Sequence, residues 1–223
     1  MQSEAGVGKH QESSSKSSST RALARLCHRA KNDLQTIANL TGLAASFCNT
    51  PAEMADWLER RVVVLATVYS LVSEHGGLPA LDRLTSEVLQ RVKSEYQVDP
   101  YVELKLEPIV LSLRICSPLS LWLYEMVANA VRHGFSGCSH PRLVVESSYD
   151  QDYFKLRVRD NGRGLAPDFD PQLRGGLGLR LAGALAAVDF QGRQDLVPQN
   201  PGLEAKLVVP AQEFKRLNQD RWL

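Results

Sequence analysis

The sequence predicts an all-α helical hairpin that pairs with a second copy into a dimeric four-helix bundle, followed by an α+β sandwich. The first observation is a run of apolar residues after Thr20, in which steps of four and three alternate. The second is a change after Gly76-Gly77, where short alternating strands and helices replace the seam. The predicted parts are a disordered tail over 1–20, the hairpin over 21–76, the sandwich over 77–212 and a C-terminal tail over 213–223.

Two apolar seams define the hairpin. The first comprises Leu23, Cys27, Ala30, Leu34, Ile37, Thr41, Ala44 and Cys48, and the second comprises Leu58, Val62, Leu65, Tyr69 and Val72. Between them, Thr50 is placed to cap a helix that starts with Pro51. Because two helices alone make a thin core, the seams predict a homodimer.

The sandwich is predicted from local pattern. We expect helices over Leu81–Tyr96, Ser117–Phe135 and Gly176–Val188, and strands over Tyr101–Leu106, Val110–Ile115, Arg142–Ser148, Tyr153–Asp160 and Ala205–Val209. Ser117 is read as a cap with Pro118 in the first turn. The strands on either side of Tyr149–Asp152 are expected to pair as a hairpin.

Composition excludes several classes of protein. The 223 residues are 43% hydrophobic with a formal net charge of +1, so no overall field favours nucleic acid or a membrane surface. The 4 cysteines lack metal-ligand spacing, and no signal peptide or membrane-length apolar run is visible. These observations predict a cytoplasmic protein with no membrane insertion and no nucleic-acid partner.

A polar stripe runs along the first predicted helix. His28, Asn32, Gln35 and Asn39 recur at helical spacing, and Arg29 and Lys31 flank the histidine. A neutral imidazole is a competent phosphoryl acceptor near pH 7, and the basic neighbours would attract phosphate oxygens. A lone histidine of this kind is more often simply solvated, so the interpretation depends on the rest of the chain.

The helix predicted over Ser117–Phe135 carries a second polar stripe. Glu125, Asn129 and the pair Arg132-His133 follow one another about one turn apart. A carboxylate and an amide at this spacing can hold Mg²⁺ through oxygen ligands, and bases beyond them can meet phosphate. Taken alone, the stripe also fits the solvated face of an amphipathic helix.

Asp160 ends a strand on its apolar side. Phe154, Leu156 and Val158 share that side, where an isolated charge is costly and therefore needs a partner. An adenine amino group would serve, and Gly162 and Gly164 would let the backbone pass close to a ligand. The alternative is a tight Asp-Asn-Gly turn without a ligand.

A glycine cluster opens the next helix. Gly175-Gly176-Leu177-Gly178-Leu179 would leave free amide groups at a helix N-terminus, which is a phosphate site by geometry and dipole. There is no Gly-Lys-Ser/Thr run, so the chain is not a P-loop protein.

In this order, the motifs resemble sensor histidine kinases over about residues 21–210. Glu125-x-x-x-Asn129 is similar to the N box, Asp160-x-Gly162-x-Gly164 to the first glycine box, and Gly176-x-Gly178-Leu179 to the second. The stretch from His28 to Asn32 resembles the subfamily with a His-Arg-x-x-Asn box, related to the HWE kinases.

The resemblance implies a Bergerat-type ATP-binding domain, as in gyrase and heat-shock chaperones, behind a dimerisation and phosphotransfer hairpin. It implies that His28 accepts the phosphoryl group of ATP. Asn32 would contact that group or place a water. Glu125 and Asn129 would serve Mg²⁺, and Asp160 would bind adenine. Gly162, Gly164, Gly176 and Gly178 would shape the adenine and phosphate walls, with Leu179 beside them in the second glycine box. Arg132 and His133, read from the polar stripe, are also expected to bind the nucleotide.

The chain departs from the family pattern at two positions that bear on mechanism. Arg29 stands where many members have an acid, which leaves the general base unassigned, and Asp33 replaces a more usual second asparagine. The segment Ala166–Arg174 between the glycine boxes is short, so a small lid over ATP is expected.

Three functions follow from these observations. The leading one is a histidine autokinase that passes phosphate to an aspartate of a response regulator receiver domain. The alternatives are a histidine phosphotransferase that relays phosphate without ATP and an ATP-binding switch protein of the anti-sigma serine-kinase type. The intact pocket residues favour the first over the second, and the hairpin favours it over the third. The sequence leaves open whether a separate sensor protein supplies the signal.

Overall fold

The computed structural model of the chain describes residues 27, 30–75, 77–166 and 169–219. His28 and the predicted N-terminal tail therefore lie outside the described residues. Helix α1 is described over 30–45. The other helices are α2 Pro51–His75, α3 Leu81–Tyr96, α4 Leu113–Asn129, α5 Pro171–Arg174, α6 Leu177–Ala184 and α7 Ala211–Asn218. The strands are β1 Tyr101–Lys105, β2 Arg142–Tyr149, β3 Tyr153–Asp160, β4 Arg193–Pro198 and β5 Leu203–Pro210. Wide π turns extend α4 over Ala130–Gly134 and α6 over Leu185–Asp189.

The turn between α1 and α2 forms as predicted. The backbone N–H of Glu53 donates to Oγ1 of Thr50 at 3.1 Å, which satisfies an otherwise unpaired donor at the start of α2. The Glu53 carboxylate in turn accepts from the backbone N–H of Asn49 at 2.9 Å. Pro51 begins the helix, where its missing N–H costs nothing.

The buried face of the hairpin differs from the predicted seams. Leu34 is 65% exposed and Cys27 is exposed, whereas Asp33 and Leu40 are buried on α1. On α2 the most buried residues are Arg61, Val64, Leu65, Val68 and Leu71. The shift arises because the hairpin packs against α3 and α4 of the same chain as well as against itself. The structure describes one chain, so the dimeric bundle stays a prediction.

One mixed five-stranded sheet forms the other layer, in the order β1-β2-β3-β5-β4. β1 is parallel to β2, and the remaining neighbours are antiparallel, including the predicted β2–β3 pair. The apolar face of the sheet turns toward the helices through buried residues such as Val145, Leu156 and Leu207. The opposite face carries ion pairs such as Arg157–Glu146 at 3.2 Å. This is an α/β sandwich with the helices on one side of the sheet.

The prediction of a strand over Val110–Ile115 is wrong, because α4 already begins at Leu113. Ser112 takes the position before the first turn, where its N–H donates to Oδ1 of Asn218 at 2.6 Å and its hydroxyl to the Leu217 carbonyl at 2.8 Å. These contacts from α7 are tertiary, and no local pattern reports them. Pro118 therefore lies inside α4 instead of starting it, and Ser117 is not its cap.

Two C-terminal elements were missed. β4 at the sheet edge was not predicted, and the predicted strand over Ala205–Val209 is part of β5, which lies between β3 and β4. α7 was not predicted either, and it continues to Asn218, within the segment read from the sequence as a C-terminal tail. Phe214 of α7 stacks on Phe154 with ring centroids 3.9 Å apart, which buries the helix against the sheet. Half-polar edge strands and short helices carry weak sequence signals, so packing determined both.

Candidate functional site

A cavity of about 1420 Å³ opens between the sheet, α4, α6 and the end of the α1–α2 hairpin. The site residues predicted from the sequence that line it are Glu125, Asn129, Arg132, His133, Asp160, Gly164, Gly176, Gly178 and Leu179. Its volume exceeds the roughly 300–1,000 Å³ typical of small-molecule pockets, so a nucleotide fits. The structure thus brings three separate sequence motifs into one space.

Asp160 is the buried carboxylate of this cavity. It is 7% exposed at the end of β3, on the face shared with Phe154, Leu156 and Val158, as the alternation predicts. Burial raises the pKa of this carboxyl, and the Gly162 N–H, which donates to Oδ1 at 2.8 Å, acts in the opposite direction. A buried acceptor beside apolar walls suits an adenine amino group.

Gly162 supports the site through a close contact with the end of α4. It is buried, and a methyl group added there would overlap the carbonyl of Gly134 at the end of α4. The Gly134 carbonyl also accepts from the Arg163 N–H at 3.0 Å, which ties the glycine loop to the helix. Gly134 was not singled out from the sequence, although it directly follows the predicted pair Arg132-His133.

The N-terminus of α6 faces the cavity at its other end. Gly176 precedes the helix, and the N–H groups of Leu179 and Arg180 donate to its carbonyl at 3.1 and 3.2 Å. The first-turn amides of such a helix have no intrahelical partner and favour anions. Arg174 and Arg180, which flank this N-terminus in the chain, also line the cavity, and Nε of Arg180 donates to the Gly175 carbonyl at 3.0 Å. This end of the cavity is therefore suited to phosphate.

Glu125 is held by a residue of the hairpin. Its Oε1 and Oε2 accept from Nε and Nη2 of Arg61 at 2.8 and 2.9 Å, and both side chains are almost fully buried. Burial raises the pKa of Glu125, whereas the Arg61 charge lowers it. Arg61 also lies 4.0 Å from the centre of the Trp57 ring and donates to the Trp57 carbonyl at 2.8 Å.

Asn129 and His133 line the cavity one turn apart at the end of α4. Burial lowers the pKa of His133, and the nearby charges of Arg132 and Arg163 add to the effect, which favours the neutral ring. Within the described part of the chain, no group of three or more His, Cys, Asp or Glu side chains could hold a metal ion. Mg²⁺ commonly uses one or two protein ligands plus substrate phosphates, so Asn129 fits that role, whereas Glu125 is already engaged by Arg61.

Of the predicted acceptor region, the described residue Asn32 does not line this cavity. Asn32 is exposed on α1, and His28 falls outside the described residues. Asp33 instead accepts hydrogen bonds from the Tyr69 hydroxyl at 2.6 Å and the Ser117 hydroxyl at 3.1 Å. The start of α1 therefore rests against the beginning of α4, away from Asn129.

The hairpin residues that line the cavity were not predicted from the sequence. Residues of the α1–α2 turn and of α2 that line it are Phe47, Cys48, Glu53, Asp56, Trp57, Arg60 and Arg61. One signal existed, because Arg61 places a charge next to the apolar seam at Val62 and Leu65. The ring of Phe47 also lies 5.0 Å from the Arg180 guanidinium of α6.

Residues 117–213 match the model of the histidine kinase-, DNA gyrase B- and HSP90-like ATPase family. This stretch runs from α4 to the start of α7 and contains every predicted cavity residue of the sandwich. ATP binding is what that family match implies.

Curated relatives extend the similarity into the hairpin. Blue-light-activated histidine kinase 2 of Erythrobacter litoralis is 27% identical over 169 residues, which is 72% of this chain and 49% of the relative. The sensor histidine kinase PdtaS of Mycolicibacterium smegmatis is 27% identical over 82% of this chain and 38% of the relative. The chain thus spans about half or less of the length of these relatives.

Solved structures show the same fold. The histidine kinase domain of the Erythrobacter litoralis EL346 blue-light-activated histidine kinase superposes with a TM-score of 0.65 at 21% identity, covering 90% of this chain and 96% of that one. The longer EL346 structure gives a TM-score of 0.71 at 20% identity, covering 88% of this chain and 61% of that one. None of the described helices is long and apolar enough to cross a membrane.

Proposed function

From the premise that this chain belongs to the sensor histidine kinases with the family's ATPase domain, we propose that it is a histidine autokinase acting in two-component signalling. Its substrates are ATP and its own His28, and the phosphoryl group then passes to an aspartate of a response regulator receiver domain. The observation that carries the proposal is the meeting of Asp160, Asn129 and the α6 N-terminus at one cavity.

Each cavity residue has a role in this proposal. Asp160 accepts a hydrogen bond from the adenine amino group, and the α6 amides with the neighbouring arginines hold the phosphates. Asn129 would hold Mg²⁺, which would supply positive charge against the charge developing on the transferred phosphoryl group. The unprotonated ring nitrogen of His28 attacks the γ-phosphorus, a P–N bond forms and the bond to the ADP oxygen breaks.

A homodimer through the hairpin is part of the proposal. Leu34 is 65% exposed and Phe47 is 47% exposed, which leaves apolar surface on α1 and the following turn. A second copy would cover this surface, in line with the seam read from the sequence. The proposed partners are thus a second copy, a receiver domain and, where the signal is sensed elsewhere, a separate sensor protein.

Labelling with γ-phosphate-labelled ATP tests the autokinase directly. The wild-type chain should acquire label that is lost in acid, because phosphohistidine is acid-labile and phosphoserine is not. His28→Gln should remove the label while nucleotide affinity stays unchanged, since the pocket belongs to the sandwich. Acid-labile label on His28→Gln would move the acceptor to another histidine, such as His75 or His133. Acid-stable label on the wild type would contradict the proposal.

A further inference from the structure

The ion pair between Arg61 and Glu125 joins the hairpin to the cavity at one buried point. Both nitrogens of the guanidinium edge face both carboxylate oxygens, and the two side chains are 4% and 3% exposed. Trp57 and Tyr124 cover the guanidinium, with ring centres 4.0 and 5.4 Å away. Separating such a pair inside the protein would leave two uncompensated charges. We therefore expect the ion pair to break only when the hairpin moves away from α4.

The Glu125 carboxylate also contacts the first turn of α6, at the end of the cavity suited to phosphate. Oε2 of Glu125 lies where a side chain on Gly178 would begin, in the first turn of α6. A metal ion on Asn129, one helical turn away, would attract the same carboxylate. Arg61 and a metal-bound nucleotide would therefore attract the Glu125 carboxylate in different directions.

A second contact places the hairpin along α4. Ser117 donates to Asp33 near the beginning of α4, whereas Asn129 lies about 18 Å further along, at a rise of about 1.5 Å per residue. α1 runs in the same direction as α4, and Ala30 lies about 22 Å from Ala45 along the helix. The chain reaches the cavity only after the C-terminal end of α1, at Phe47. Phosphoryl transfer needs reacting atoms within about 3–3.5 Å. The docked hairpin thus holds α1 near Asp33 at the end of α4 remote from the cavity.

We infer that Arg61 is a latch: docking of the hairpin and binding of a magnesium–nucleotide compete for the Glu125 carboxylate. The inference rests on the proposed function, because the Mg²⁺ proposed to bind at Asn129 is what attracts the Glu125 carboxylate. The nucleotide draws Glu125 away from Arg61, the hairpin loses its buried anchor, and α1 becomes able to move relative to α4. By linkage, a docked hairpin weakens magnesium–nucleotide binding by the same factor.

Thiol cross-linking measures docking without measuring activity. Asp33→Cys with Ser117→Cys, in a chain whose native cysteines are replaced by alanine, places two thiols at the end of α4 remote from the nucleotide. Cross-linking by a short bismethanethiosulfonate should slow at least about fivefold when magnesium and a non-hydrolysable ATP analogue saturate the protein. The analogue with EDTA should slow it much less. Equal rates in all three conditions, or an equal slowing in EDTA, would overturn the competition.

Nucleotide affinity gives an independent test. Arg61→Gln removes the rival charge, so the affinity for the magnesium analogue should rise about fivefold or more. Arg216→Gln is the control, because Arg216 pairs with Glu213 on α7 and does not line the cavity, and it should leave the affinity within twofold. A purely structural role for Arg61 would lower affinity and contradict the latch. If the wild-type chain bound no nucleotide, the proposed function would fail instead, and if it bound without any effect on cross-linking, only the latch would fail.

Discussion

Gly178 of α6 and Glu125 of α4 are in such close contact that a methyl group on the glycine would overlap Oε2 of the carboxylate. The second glycine motif is therefore required by packing at this position as well as by any approach of a phosphate. The contact also joins the two helices that border the phosphate end of the cavity.

Gly178→Ala should therefore lower the affinity for nucleotide and destabilise the chain, because Glu125 must move and its buried pair with Arg61 must distort. Gly183→Ala on the same helix is the matched control, since nothing lies within 4 Å of its added methyl group. Alanine at a helix interior gains up to about 1 kcal/mol over glycine, so the control should be at least as stable as the wild type. Thermal unfolding and nucleotide titration of both variants check this. Equal behaviour would refute the packing argument.

Asp160→Asn should separate binding from stability. Loss of the charged acceptor should cost about 1–3 kcal/mol of nucleotide binding, because the adenine amino group would face an unmatched partner. Burial raises the pKa of Asp160 above its ordinary value of 3.8, and a raised pKa contributes stability that is present below the ordinary value and lost as pH rises through the folded-state value. Without nucleotide, the asparagine variant should therefore gain stability relative to the wild type as pH rises toward neutrality.

Denaturant unfolding of both proteins between pH 4 and 7, together with nucleotide titration, tests the two halves of this prediction. Asp152→Asn is the control, because Asp152 is exposed and does not line the cavity. A wild-type protein more stable than Asp160→Asn at neutral pH would show that the ionised carboxylate is well compensated without a ligand.

Substitution by aspartate should affect dimerisation at Leu34 and folding at Leu65. Leu34→Asp alters a side chain that is 65% exposed, so each chain should stay folded while a dimer built on this face dissociates. Leu65→Asp introduces a charge at a position only 3% exposed, which should unfold the hairpin. Light scattering and circular dichroism distinguish the results. A Leu34→Asp protein that remained a dimer would rule out this face as the interface.

The Arg61–Glu125 pair should show strong coupling in stability. Arg61→Met or Glu125→Leu alone should cost about 3–5 kcal/mol, since each strands a buried charge. The double variant should recover most of that loss, because two apolar side chains of similar volume replace two charges. Urea unfolding of the four proteins completes the cycle. Additive losses would mean that the two charges are solvated and not paired in solution.

Local signals in the sequence determined the elements whose contacts are near in the chain. The Thr50–Pro51 start of α2, the extent of α3 and the β2–β3 hairpin were all predicted, because caps, helical periodicity and strand alternation each act within a few residues. The inward direction of Asp160 was also predictable, since strand alternation alone sets the face. These features placed the separate motifs in elements that meet at one cavity.

The tertiary structure decided what depends on partners distant in the chain. The start of α4 depends on Asn218 and Leu217, more than a hundred residues away, so an apolar run that resembles a strand becomes a helix. The burial of Arg61 depends on Glu125, and no spacing within α2 reports a carboxylate on another helix. Local patterns encode which side chains can face a core or a ligand. Only packing of the whole chain determines which charge meets which, because a buried charge is tolerated solely where its counterpart arrives from elsewhere.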